Sequence, residues 1–361
     1  MGSDAGMSEY WNNRMGKNCA NWFSLMILLL TMAACAQTKY TANVQSTYTN
    51  PVLDRDFPDP SVINATDGWY YAYGTNSSWH GNMVNIQVAR SLDLVHWQYL
   101  GDALPDKPEW ANSTQQFWAP DITYDPESKT YYLYFASGHN GTKNHCIGVA
   151  TSKLPQAPFL DTGHPLACGK DFTYIDPMEF DDPRSGKHYM FWGSDFAPLM
   201  GQELANDRVS FSPNSKPHVV LEPSKKPGYN HLVEASWVIY RKGYYYLFYS
   251  GNNCCGKDAH YAVMVARSRH VLGPYKRFKG VNGSGNGVIL EKNSHWDAPG
   301  HNAIIRDEKG QYWILYHAVS TSKRNLGRVL MLDRIKFEKG WPRVEGDGPS
   351  YTAQPAPVIK K

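Results

Sequence analysis

Five short segments of the chain read as copies of one aromatic strand. They are Trp69-Tyr70-Tyr71-Ala72-Tyr73-Gly74, Tyr131-Tyr132-Leu133-Tyr134-Phe135, His188-Tyr189-Met190-Phe191-Trp192-Gly193, Tyr244-Tyr245-Tyr246-Leu247-Phe248-Tyr249 and Tyr312-Trp313-Ile314-Leu315-Tyr316-His317. Each run is rich in aromatic side chains and lacks the polar alternation of a half-exposed strand. Glycine-bearing turns such as Asp67-Gly68, Ser185-Gly186-Lys187 and Lys309-Gly310 precede them, which is a hairpin signal. A second apolar strand follows most copies: Ile86–Ser91, Ile147–Ser152, Val263–Ser268 and Val329–Asp333. The unit after His188 is weaker, with Val209-Ser210-Phe211 marking its outer part. A third strand precedes each aromatic run, at Ser61–Ile63, Ile122–Tyr124, Met178–Phe180, Trp237–Ile239 and Ala303–Ile305.

Copies recur roughly every 55 to 70 residues, a period that marks a repeat architecture. Three strands plus an outer one, five times over, predict an all-β fold: a five-bladed β-propeller with four-stranded blades. No long helical period and no linker interrupts residues 45–361, so they are read as a single domain. The residues after Trp341 are expected to close the ring, with the segment near Tyr48 giving a strand to the last blade.

Residues 1–36 differ in kind. Arg14 and Lys17 precede an apolar run from Trp22 to Ala34, which ends in Ala34-Cys35-Ala36. This is the pattern of an export signal peptide, too short to span a bilayer. Cys35 also stands where a lipoprotein is cleaved and lipidated, so a lipid anchor is the one membrane link expected. The destination is periplasmic or extracellular. Export permits disulfides. Cys146 with Cys168, and the adjacent Cys254 and Cys255, are the candidate pairs, with buried free thiols left open.

Charge changes the picture by exclusion. The net charge is +3 with 19% charged residues and no basic stripe, which argues against a nucleic-acid partner. Aromatics make up 14% of the chain, including 12 Trp and 24 Tyr. Most serve the core; a few suit stacking against sugar rings.

The chemistry sits just before each third strand. Those residues are Pro58-Asp59-Pro60, Pro120-Asp121, Ile175-Asp176-Pro177, Val233-Glu234-Ala235 and Gly300-His301-Asn302. The innermost strand of each blade lines a propeller's axis, so the repeat brings Asp59, Asp121, Asp176, Glu234 and His301 toward one point. Asp before Pro is a common turn element. Acids gathered in register raise one another's pKa, however, and can keep one carboxyl protonated near neutrality. Glycoside hydrolysis uses such a pair, one acid and one carboxylate on opposite faces of the sugar. Asp121, in the packed corner Phe117-Trp118-Ala119-Pro120, reads as structural.

These motifs, in this order and spacing, resemble glycoside hydrolase family 43. The likeness runs from Asn50-Pro51-Val52 and Phe57-Pro58-Asp59-Pro60-Ser61, through Trp118-Ala119-Pro120-Asp121, Ile175-Asp176-Pro177 and Glu234-Ala235, to Gly300-His301-Asn302. The resemblance implies an inverting mechanism. Asp59 would be the general base, Glu234 the general acid, and Asp176 the residue that raises the pKa of Glu234. It implies Ca²⁺ or another ion near His301, no organic cofactor, and sugar contacts from Arg328, with Trp79 and Trp118 as candidate stacking rings. The expected substrate is an oligo- or polysaccharide, α-1,5-linked arabinan first and β-xylosides second, cut by a monomer. A propeller that binds glycans without catalysis is the competing class.

Overall fold

The computed structural model describes residues 46–359 apart from 80, 194, 281–286 and 347. The signal-peptide and Cys35 expectations therefore lie outside the described residues. Five antiparallel sheets follow one another along the chain. The first blade is Ser61–Asn64, Tyr70–Gly74, Gln87–Ser91 and Trp97–Asp102, and the second is Phe117–Asp125, Thr130–Gly138, His145–Ser152 and Leu160–Asp161. The third is Met178–Asp181, His188–Trp192, Leu199–Glu203 and His218–Leu221. The fourth is Val233–Arg241, Tyr244–Asn253, His260–Ser268 and Lys276–Arg277, and the fifth is Trp296–Arg306, Tyr312–Ser320, Arg328–Glu338 and Trp341–Val344. The innermost strand of each blade packs on its neighbours, and the fifth meets the first. The fold is the expected five-bladed β-propeller.

The unbroken aromatic runs have a direct cause. Successive side chains on a strand point to opposite faces, and here both faces are blade interfaces. Tyr71 and Tyr73 pack toward the second blade with Phe117, Leu133 and Phe135. Tyr70 and Ala72 pack toward the fifth with Trp313, Leu315 and Leu332. The same division recurs around the ring, giving one apolar cluster per interface. Each fully buried aromatic contributes on the order of 2 kcal/mol of transfer free energy.

Two expectations need correction. The outer part of the third blade is not Val209–Phe211: its outer strand is His218–Leu221, and Phe211 makes only an isolated bridge to Leu204. Tyr48 does not join the last blade either. Thr47–Tyr48 pairs with Gln354–Pro355 as a separate ribbon. Closure is made instead by an isolated backbone bridge between Leu53 and Leu330 and by side chains. Tyr48 Oη donates to the Leu332 carbonyl at 2.7 Å, and Asn50 both donates to and accepts from the Leu332 backbone at 2.9 Å. The two cysteine pairs are both disulfides, Cys146–Cys168 and Cys254–Cys255.

Candidate active site

The site is set by a bulge repeated on the innermost strands. Ser61 pairs with Tyr73, Asp121 with Tyr134, Met178 with Phe191, Trp237 with Phe248, and Ala303 with Leu315. Two residues before each of these lies Asp59, Ala119, Asp176, Ala235 or His301, all at φ between 48 and 58°. The left-handed region is unfavourable for side-chain-bearing residues and is held only where surrounding structure enforces it. At four of the five positions that structure includes a hydrogen bond from the residue's own amide. Asp59 N donates to His317 Nδ1 at 3.1 Å, Ala119 N to Thr75 Oγ1 at 2.8 Å, and His301 N to Ser250 Oγ at 2.9 Å. Each acceptor stands at the end of the aromatic strand in the preceding blade. In the third blade that place is Gly193, which has no side chain, and the Ala235 amide donates to Asp176 Oδ2 instead, at 3.0 Å.

This register refines the sequence reading. Asp59, Asp176 and His301 are equivalent positions, but Asp121 lies two residues further along its strand and Glu234 one residue earlier. The single ring of five ionisable groups is therefore not formed. Asp121 leaves the site: it is buried, accepts the Glu179 amide at 2.7 Å, and burial pushes its pKa up to about 7. Glu234 shares its place with Trp118, each directly before the left-handed residue of its blade. A cavity of about 520 Å³ gathers Asp59, Asp176, Glu234, His301, Arg328 and Trp118, together with Thr75, Phe172, Ile175 and Leu232. Trp79 belongs to a short hairpin, Ser77–Trp79 with Asn82–Val84, and its side chain lies outside the described residues.

The two aspartates sit in opposed environments. Burial works against ionisation of Asp59, but the Arg328 guanidinium, its Nη1 at 3.0 Å from Oδ1, holds that carboxyl well below its usual range. Thr75 Oγ1 donates to the other oxygen at 2.6 Å. Burial raises Asp176 well above its usual range, and the neighbouring charges of Glu234 and Asp59 raise it further. His301 Nδ1 lies 3.4 Å from Asp59 and 3.9 Å from Asp176. Burial lowers His301 to about 4 and also lowers His317, so both imidazoles are neutral at neutral pH. His317 Nδ1 lies 3.1 Å from the Asp59 amide nitrogen and 3.2 Å from Asp59 Oδ1.

Four contributors escaped the sequence reading. Tyr261 Oη donates to Glu234 Oε1 at 2.6 Å, and its ring lies parallel to His317 at 5.8 Å. Tyr261 opens the apolar strand of the fourth blade, where nothing in the pattern separates it from a core tyrosine. Thr75 and His317 did carry a signal: both are polar residues that end an aromatic run. Phe172 was hidden in a loop and is stacked behind Trp118 through His145, with ring centroids 4.9 and 4.7 Å apart.

The described residues include another group of acids and a histidine close enough to hold an ion: Glu179, Asp181 and His188. Arg208 already occupies it, at 2.7 Å from Glu179 and 2.9 Å from Asp181.

The sequence profile of Glycosyl hydrolases family 43 matches residues 48–342. A probable arabinan endo-1,5-alpha-L-arabinosidase A from Aspergillus flavus is 30% identical over 301 residues, covering 79% of this chain and 90% of that protein. An extracellular exo-alpha-(1->5)-L-arabinofuranosidase from Cellvibrio japonicus is 27% identical, covering 92% of this chain and 95% of that one. Among solved structures, Cellvibrio cellulosa alpha-L-arabinanase complexed with arabinohexaose superposes with a TM-score of 0.68 at 25% identity, over 80% and 95% of the two chains. A mutant of the BlXynB protein from Bacillus licheniformis superposes with a TM-score of 0.70 at 26% identity, over 88% of this chain and 60% of that one. With the profile covering most of the propeller, the chain belongs to glycosyl hydrolases family 43, enzymes that hydrolyse glycosidic bonds.

Proposed function

We propose that the protein is an exported, inverting glycosidase that cleaves α-L-arabinofuranosyl linkages of arabinan or arabino-oligosaccharides. The observation that carries the mechanism is the opposed setting of two carboxylates in one cavity. Asp59, kept ionised by Arg328, is the general base; it takes a proton from a water that attacks the anomeric carbon. Glu234, whose charge and that of buried Asp176 repel each other, is the general acid that protonates the departing glycosidic oxygen. Water attacks opposite the leaving group, so the configuration inverts. Pushing paired titratable groups apart by environment is how carboxylates acquire separate acid and base roles. Trp118 and Phe172 supply an apolar wall for a sugar face. The arabinan assignment is supported by the names of the fungal and Cellvibrio relatives. Export through residues 1–36 is supported by the extracellular Cellvibrio relative.

An ion near His301 fits this site only through water. The carboxylates beside His301 are already held by Arg328, Thr75 and the Ala235 amide, which leaves too few oxygens for a direct Ca²⁺ cage. Ser61 Oγ, Ser236 Oγ, the Asn302 amide and His317 Nε2 are buried without a protein partner. Such groups suit water molecules around a hydrated cation. When bound, that charge would favour the ionised forms of the nearby aspartates.

The test is release of product from 4-nitrophenyl α-L-arabinofuranoside and debranched arabinan, with Glu234→Ala as control. Absence of hydrolysis on these and on β-xylosides, with glycan still bound, would return the protein to the non-catalytic class. A product whose first-formed anomer retains the substrate configuration by NMR would sink the assignment of Asp59 as base.

A further inference from the structure

We infer that the Cys254–Cys255 disulfide is part of the substrate site, an apolar face on which the leaving saccharide rests. The inference builds on the reading of Glu234 as general acid. Both cysteines line the cavity that holds Glu234, Asp59 and Trp118. Their place follows from the fourth-blade hairpin. Val233 pairs with Gly251 and Glu234 with Ser250, and the cysteines come directly after that strand ends at Asn253. The disulfide thus lies at the Glu234 end of its hairpin. The group that protonates the glycosidic oxygen faces the leaving sugar, so the neighbouring surface belongs to that sugar's subsite.

Stability does not explain this bridge. A disulfide stabilises mainly by closing a loop in the unfolded chain, and the gain grows with loop length. Cys146–Cys168 closes a separation of 22 residues and pins Ala167–Gly169 to the second blade. Cys254–Cys255 has a separation of 1 and closes no loop of chain. What it changes is the local surface. Two thiols would be weak hydrogen-bond donors on freely rotating bonds. The linked sulfurs carry no S–H and are fixed, polarisable and apolar. A saccharide ring presents a C–H face and a hydroxylated edge. The cavity supplies carboxylates and Arg328 for the polar edge, and Trp118, Phe172, Ile175, Leu232 and the disulfide for the apolar face.

The experiment compares arabinotriose with α-L-arabinofuranosyl fluoride, which carries no leaving sugar. For Cys254→Ser/Cys255→Ser, the ratio of kcat/KM for arabinotriose to that for the fluoride should fall about fourfold to fifteenfold, the loss expected for one to two buried methylene equivalents. A phosphine reductant should produce the same fall in wild type and no further fall in the double variant, although Cys146–Cys168 is present in both. Reduction breaks the S–S bond, gives two thiols, and oxidises the phosphine with the oxygen of water. An unchanged ratio overturns the inference, as does a reductant effect that persists in the variant. Binding of arabinotriose to the Glu234→Ala protein, with and without the cysteine pair, reads the contact without turnover. Failure of wild-type hydrolysis therefore counts against the proposed function, and an unchanged dissociation constant counts against the disulfide.

Discussion

Tyr261 Oη and Glu234 Oε1 are joined by a 2.6 Å hydrogen bond between the third and first strands of the fourth blade. Gly300 makes room for it, because a Cβ there would fall 2.0 Å from the Tyr261 ring. Tyr261→Phe keeps the stack on His317 but removes the bond. A hydrogen bond to a charged group contributes about 1.5–3 kcal/mol, so kcat/KM should fall roughly tenfold to a hundredfold with little change in Tm. Gly300→Ala should lower activity and Tm together, since the ring must move. Steady-state kinetics with thermal melts separate the two.

Asp176→Asn removes the buried negative neighbour of Glu234. Burial and the Glu234 charge raise Asp176 well above the ordinary carboxyl range, so activity should decline as rising pH strips the pair of its proton. Without the Asp176 charge the proton is lost earlier, so the alkaline limb of the kcat/KM profile should move to lower pH. A limb that stays put would show that Asp176 does not act through Glu234.

Arg328 is the counter-ion of Asp59. In Arg328→Ala, burial of Asp59 is no longer offset, and its pKa rises. The acid limb of the pH profile should therefore move up, and kcat/KM at neutral pH should fall by roughly tenfold or more through loss of a charge-assisted bond. A pH series on a nitrophenyl arabinoside measures both.

Asp121 gives a prediction about stability rather than activity. Burial pushes its pKa up to about 7 in the folded protein from the ordinary carboxyl value of 3.8, so the folded state binds more protons between those values. Its contribution is fully present below pH 3.8 and is lost as pH rises through 7. Asp121→Asn keeps an acceptor for the Glu179 amide and does not ionise. Its Tm should exceed wild type increasingly from pH 5 to pH 8, as read by differential scanning fluorimetry.

Cys146→Ser/Cys168→Ser should destabilise the fold by about 3 kcal/mol, from the loop-closure relation for this spacing. Urea denaturation gives the value directly.

The propeller was legible in the chain because its cause is local and repeated. A strand buried on both faces must be apolar throughout, so Tyr244–Tyr249 and its four counterparts announce themselves without reference to anything distant. The acids Asp59, Asp176 and Glu234 were legible as a group because each begins an innermost strand, and the repeat carries all such starts to one axis. Tertiary structure decided which of them share the cavity. A one-residue bulge fixes the direction of each side chain, and period-two geometry makes that direction sensitive to a single step. By that step Asp121 turns to the Glu179 amide while Glu234 turns to Tyr261. The closing contact from Asn50 to Leu332 spans 282 positions, and no local pattern could pair them. The ionisation of Asp59 likewise depends on Arg328, 269 positions away, because charge acts through space and not along the chain.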